Sequence, residues 1–161
     1  MKNKQNIVLI GMSGVGKTFL GKYAGSHLGL PFFDTDEIIQ KAHNSDLKEL
    51  VKANSWSWFR NEEYNVLKDL VKLNGALIST GGGIIENALV ENLLVGQKVI
   101  YIKRDVTETI KLARHLTAPY NILEAEREPI YKRLAGYIYV NESSPYDFLN
   151  YVANIIKCNP T

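Results

Sequence analysis

Gly11-Met12-Ser13-Gly14-Val15-Gly16-Lys17-Thr18 decides how this chain is read, because it fills every fixed position of G-x-x-x-x-G-K-[ST]. A short apolar run, Ile7-Val8-Leu9-Ile10, precedes it, and apolar residues at helical spacing follow: Phe19, Leu20, Tyr23, Ala24 and Leu28. Strand, glycine loop and helix in that order are the context in which the motif works. The glycines let successive backbone N–H groups close around phosphate oxygens, and the helix start adds the positive end of its dipole. Lys17 is placed to reach the β- and γ-phosphates, and Thr18 a magnesium ion. A chance glycine-rich turn explains neither the complete match nor its setting, so the chain is expected to bind a nucleoside triphosphate.

Working outward, 161 residues suffice for one domain with a single large core. The formal net charge of +2, without a dense run of Lys or Arg, argues against nucleic acid as a partner. The single cysteine, Cys158, excludes an intramolecular disulfide and points to a reducing compartment. No apolar stretch approaches the roughly 18 residues of a membrane span, and the N-terminal apolar run is too short for a signal peptide. A cytoplasmic monomer acting on small molecules, without membrane or nucleic acid partners, is the expectation. The three histidines lie far apart in sequence, so no zinc site is assigned.

Short apolar runs alternate with longer amphipathic ones, which is the pattern of an α/β fold. Strands are expected at about 6–10, 31–34, 76–79, 98–102 and 136–140, and helices at about 17–28, 35–42, 46–53, 57–73, 86–94, 105–115, 121–134 and 146–157. Five parallel strands with right-handed crossovers bring residues 11–18, 34–36 and 80–83 together at the carboxyl ends of the strands. There Asp34-Thr35-Asp36 offers two carboxylates. If strand geometry persists through Thr35, both face the cradle, one supporting magnesium and the other accepting a proton from an attacking hydroxyl. The plainer alternative makes Asp36 a helix cap and Asp34 a solvated turn residue. Ser79-Thr80-Gly81-Gly82-Gly83 ends another strand, and three consecutive glycines there give a second backbone surface open to a ligand. Trp58-Phe59-Arg60-Asn61-Glu62-Glu63 opens a long helix with Val66, Leu67, Leu70, Val71 and Leu73 as its expected buried face. A cation at a helix start needs an anionic partner, either Glu63 or a carboxylate ligand. The tyrosines of the last third, Tyr131, Tyr137, Tyr139, Tyr146 and Tyr151, read as packing residues.

These four motifs, in this order and spacing, resemble shikimate kinase over about residues 6–150. The resemblance implies a three-layer P-loop kinase fold with a five-stranded parallel sheet in order 2-3-1-4-5, spanning residues 1–161 as one domain. It also implies a substrate-binding region at about 35–62 and a lid at about 111–124 that closes on ligands. The implied reaction is transfer of the ATP γ-phosphoryl group to the 3-hydroxyl of shikimate, in chorismate and aromatic amino acid biosynthesis, with Mg2+ as cofactor. The Pro119-Tyr120 step and the compact region after it look more like the kinase segment of the fungal pentafunctional arom polypeptide.

Carried over by residue, the resemblance implies Gly14, Val15, Gly16, Lys17, Thr18 and Phe19 on ATP, and Thr18 with Asp34 on magnesium. Lys17 and Asp36 are the implied catalytic pair. Asp36, Arg60, Gly82 and Arg127 are implied to bind shikimate, with Glu63 holding Arg60 and Arg127 supplied by Arg127-Glu128-Pro129-Ile130-Tyr131. Two guanidinium groups on the carboxylate and an aspartate on the hydroxyls fix both ends of such a substrate, and alignment is most of what phosphoryl transfer needs. The chain departs from the family at the lid, where Ala118 stands at the position of an arginine. Arg114 aligns with an arginine beside the adenine, or serves the phosphate in place of the missing one. The departure predicts reduced activity, since an arginine on the transferring group can be worth on the order of 10³–10⁵ in rate. Two other readings stay open: a non-catalytic shikimate-binding regulatory domain, and a kinase for another hydroxylated metabolite such as gluconate. A GTPase is disfavoured because no Asn-Lys-x-Asp signature is present.

Overall fold

The computed structural model describes residues 4–113 and 116–158. Its centre is a five-stranded, wholly parallel sheet in the order β2-β3-β1-β4-β5. The strands are β1 (Ile7–Ile10), β2 (Phe32–Asp34), β3 (Leu77–Ser79), β4 (Lys98–Lys103) and β5 (Tyr137–Val140). The helices are α1 (Lys17–Leu28), α2 (Thr35–His43), α3 (Leu47–Ala53), α4 (Trp56–Leu70), α5 (Val90–Leu94), α6 (Val106–Leu112), α7 (Tyr120–Leu134) and α8 (Pro145–Lys157). This is the α/β fold expected from the alternation of elements, and the strand order is the one the resemblance implied.

β1 lies between β3 and β4, pairing Val8 with both Ile78 and Val99. A strand flanked on both edges and covered on both faces must be apolar throughout, and all four residues of β1 are buried. Asn6, 1% exposed, locks its entry: Nδ2 donates to Val71 O and Leu73 O, and Oδ1 accepts from Ala76 N. α1 packs closely on β2 because Gly21 has no side chain; a Cβ there would lie 2.4 Å from the Phe32 ring. A smaller apolar cluster, Ile39, Leu47, Leu50 and Phe59, joins α2, α3 and α4 apart from the main core. Polar caps start these helices: Asp34 for α2, Asp46 for α3 and Ser55 for α4.

Several local expectations are corrected. Phe19 is 64% exposed, since it points away from the stripe of Leu20, Gly21, Ala24 and Gly25 that α1 buries. α4 stops at Leu70, so of its expected face Leu67 and Leu70 are buried while Leu73 lies beyond the helix, 40% exposed. The expected helix at 86–94 is a 3-10 turn, Ile84–Glu86, followed by the short α5. The helix expected over 105–115 ends at Leu112. Of the tyrosines assigned to packing, Tyr146 is 59% exposed, whereas Tyr131 is fully buried and stacked on Tyr101 at 5.0 Å.

Candidate functional site

The loop after β1 turns through left-handed backbone at Gly14 and Gly16, with φ of 86° and 99°. At both positions a side chain is excluded by space as well. A Cβ on Gly14 would lie 2.7 Å from Thr109 O, and one on Gly16 2.7 Å from Asn141 Nδ2. Asn141, in the loop before α8, donates to Val15 O at 2.9 Å and so ties that loop to the cradle. Lys17 opens α1 and folds back over the loop, donating to Gly11 O at 2.7 Å and Met12 O at 2.8 Å. Burial pulls its ammonium down to about 8, against the opposing pull of Asp36 and Asp34.

Thr18 and Asp34 meet across the ends of β1 and β2: Thr18 Oγ1 donates to Asp34 Oδ2 at 2.5 Å. The other oxygen, Oδ1, accepts from Asp36 N and Glu37 N, which makes Asp34 the cap of α2. Both simpler ideas about Asp34-Thr35-Asp36 are thereby corrected. The strand ends at Asp34 and the helix begins at Thr35, so the two carboxylates do not alternate as on a strand. Nor does Asp36 cap the helix or Asp34 sit in solvent, since Asp34 is 6% exposed. Both still line one cavity, because the first turn of α2 carries Asp36 around to the side where Thr18 stands.

That cavity has a volume of about 370 Å³, within the range of small-molecule sites. Its floor is the glycine triplet. A Cβ on Gly82 would lie 2.9 Å from Ser13 N, so the two glycine loops touch backbone to backbone. A Cβ on Gly81 would lie 2.2 Å from Glu63 Oε1 and 2.8 Å from Asp36 Oδ1. The two carboxylate oxygens therefore converge over Gly81, and among the described residues neither has a hydrogen-bond partner. Burial pushes Asp36 up to about 6, with Asp34 adding to the shift and Lys17 and Arg60 opposing it. Burial likewise pushes Glu63 up to about 7, against the attraction of Arg60.

The same cavity also carries two cations. Arg60 Nη1 donates to Glu63 Oε2 at 2.7 Å, and its guanidinium lies 5.0 Å from the centre of the Trp56 ring. Arg127, on α7, is 4% exposed, and its Nε has no partner among the described residues. Tyr131, one turn further along α7, donates to Gly82 O. Glu86, on the 3-10 turn after the triplet, accepts from both Arg60 and Arg127. Sequence reasoning missed it, because an acid at a turn carries no motif and its partners lie far away along the chain.

Of the residues singled out in the sequence, Thr18, Asp34, Asp36, Arg60, Gly82 and Arg127 line this cavity together. Lys17 stands behind the cradle that borders it, and Phe19 takes no part in the wall. Arg114 falls outside the described residues. Among those residues no group of three or more His, Cys, Asp or Glu is arranged to hold a metal, and no helix is long and apolar enough to cross a membrane.

Comparison with known proteins gives a consistent match. The family model described as shikimate kinase matches residues 13–157. A shikimate kinase of Tolumonas auensis is 31% identical over 151 residues, covering 86% of this chain and 88% of that protein. The pentafunctional AROM polypeptide of Saccharomyces cerevisiae is 37% identical over 117 residues, which is 67% of this chain but 7% of that protein's length. The chain thus spans a small part of such relatives. Among solved structures, a shikimate kinase from Acinetobacter baumannii in complex with shikimate superposes with a TM-score of 0.87 at 26% identity, covering 96% of this chain and 93% of that one.

Proposed function

The chain belongs to the shikimate kinase family, and from that premise we propose that it transfers the γ-phosphoryl group of ATP to the 3-hydroxyl of shikimate. The observation that carries this reading is that one cavity holds both unpartnered acceptors, the converging carboxylate oxygens of Asp36 and Glu63, and the guanidinium groups of Arg60 and Arg127. A small acid bearing several hydroxyls fits that set of groups: its carboxylate goes to the arginines and its hydroxyls to the free acceptors. Shikimate bound to the Acinetobacter baumannii relative supports the same assignment.

In the reaction, the substrate hydroxyl oxygen forms the new P–O bond as the bond between the γ-phosphorus and the bridging oxygen of ATP breaks, leaving ADP. Asp36 accepts the hydroxyl proton; its raised affinity for protons suits it to that task near neutral pH. Lys17 releases the carbonyls of Gly11 and Met12 and follows the β- and γ-phosphates, while the loop amides hold them. Gly82 admits the substrate close to the cradle. The donor set of Thr18 Oγ1 and Asp34 Oδ2, both oxygen and already adjacent, fits a hard cation such as Mg2+. When bound there, Mg2+ supplies charge neutralisation at the phosphate oxygens.

ADP release measured with Mg-ATP and shikimate, with gluconate and with no acceptor tests the proposal, with Lys17→Ala as the control. Turnover that requires shikimate and is lost in the control is expected. Shikimate binding without turnover would favour a regulatory binding domain, for which the Ala118 departure speaks, and turnover with gluconate alone would reassign the substrate.

A further inference from the structure

Two arginines buried in one cavity wall repel one another, and something must hold them where a ligand can use both. Side-chain exposure is 13% for Arg60 and 5% for Arg127, so water does little to screen them. They come from different helices, α4 and α7, and no backbone link sets their separation. Glu86 supplies that link. Its Oε2 accepts from Arg60 Nε at 2.7 Å, and its Oε1 accepts from Arg127 Nη2 at 2.5 Å. The turn that carries Glu86 is itself anchored, with Glu86 N donating to Gly83 O at 3.0 Å and Ile84 and Ile85 buried beneath it.

We propose that Glu86 is a positioning residue that sets the spacing and charge of Arg60 and Arg127 so that the pair receives a monocarboxylate and disfavours dianions. The proposal rests on the reading of these arginines as the substrate's carboxylate clamp. Each oxygen of Glu86 occupies one N–H of one arginine, which leaves other donors for a ligand. Arg127 Nε is one of them, buried and without a partner among the described residues. Glu63 Oε2 also accepts from Arg60, so acids contact both bases of the clamp. With that balance a ligand is selected by donor geometry, and a second negative charge on it gains nothing. The Glu86 side chain is 38% exposed while the two guanidinium groups are not, so removing its charge leaves an excess cation on arginines that water reaches little, and an added dianion is attracted there.

Glu86→Gln and Glu86→Asp test this in the full chain. The glutamine can accept from one arginine but turns N–H groups toward the other. The aspartate keeps the charge but is one methylene shorter, a retreat of about 1.5 Å that exceeds what the two bonds can absorb within hydrogen-bonding range. In both variants the KM for shikimate is expected to rise about 10-fold, the equivalent of one charge-assisted hydrogen bond, with kcat and the KM for ATP within about 3-fold of wild type. An unchanged or lowered KM in Glu86→Gln, or wild-type behaviour of Glu86→Asp, overturns the positioning role.

The second arm uses no substrate. Thermal unfolding is compared in sodium sulfate and in sodium chloride at equal ionic strength, and sulfate is expected to stabilise Glu86→Gln more than wild type. An equal sulfate shift in the two proteins overturns the charge-balancing role. Should the wild type fail to phosphorylate shikimate, the functional reading falls and the sulfate comparison still decides the place of Glu86.

Discussion

Alanine at position 81 is the most exacting test of the site's packing. The backbone there does not lie in the left-handed region, so the change adds no conformational strain and acts only through space. The new Cβ would lie 2.2 Å from Glu63 Oε1 and 2.8 Å from Asp36 Oδ1. Carbon and oxygen need rather more than 3 Å, so the Glu63 carboxylate has to retreat by about 1 Å. It cannot do so freely, being 1% exposed with its other oxygen 2.7 Å from Arg60 Nη1. A retreat of that size takes the bond beyond hydrogen-bonding range. Overpacking of this kind costs about 1–3 kcal/mol, and a lost hydrogen bond to a charged group about 1.5–3 kcal/mol. The two costs share one displacement and are not summed. The expected destabilisation is about 2–3 kcal/mol, a fall in Tm of roughly 4–12 °C for a chain of this length. Urea unfolding measures the first quantity. Steady-state kinetics should show kcat/KM for shikimate lowered about 30-fold and the KM for ATP unchanged, because Arg60 has lost its support. The decisive comparison introduces the same alanine into Glu63→Ala, where the nearest clashing atom is gone. There it should cost under about 1 kcal/mol. An equal cost in both backgrounds would refute the reasoning.

Other expectations follow from the same geometry. Lys17 has its proton affinity lowered by burial, so its charged form opposes folding below about pH 8 and that opposition fades as pH rises toward 10.5. The unfolding free energy of wild type relative to Lys17→Met should therefore shift in favour of wild type by about 2–3 kcal/mol between pH 7 and pH 10, as read by urea titrations. Arg127→Ala should weaken shikimate binding at least about 10-fold while leaving ATP binding alone, and equal losses in calorimetry would remove Arg127 from the carboxylate clamp. Asn141→Ala releases Val15 O and should raise the KM for ATP by about 5-fold, the worth of one hydrogen bond, without affecting shikimate. Tyr131→Phe keeps the stack on Tyr101 but removes the donor to the half-buried Gly82 O, with a loss of about 0.5–1.5 kcal/mol in thermal or urea unfolding.

The glycine loop at 11–18 was legible because its chemistry is local: a cradle for phosphates needs those residues in that order and nothing from elsewhere. The same holds for the apolar runs of β1, β3 and β4, whose burial on both faces leaves little choice of residue. Helix ends were less legible. α4 stops at Leu70, and the carbonyls of Val71 and Leu73 beyond it are satisfied by Asn6 just before β1, a partner so distant in the chain that no pattern within residues 57–73 announces it. Asp34 as the cap of α2 turns on where β2 ends, a matter of one residue, and that residue decided which carboxylate caps the helix and which is left unpartnered over Gly81.

Sequence by itself determined the fold class, the phosphate cradle, and the acids and arginines from which the cavity is made, because each is written as a contiguous motif or a short-range period. Only the tertiary structure decided how those groups are coupled. The convergence of Asp36 and Glu63 over Gly81, the contact of Gly82 with Ser13, and the bridging of Arg60 and Arg127 by Glu86 all join segments distant in the chain. Such contacts depend on the register of parallel strands and the packing of helices upon them, which the whole chain sets at once and no single stretch records.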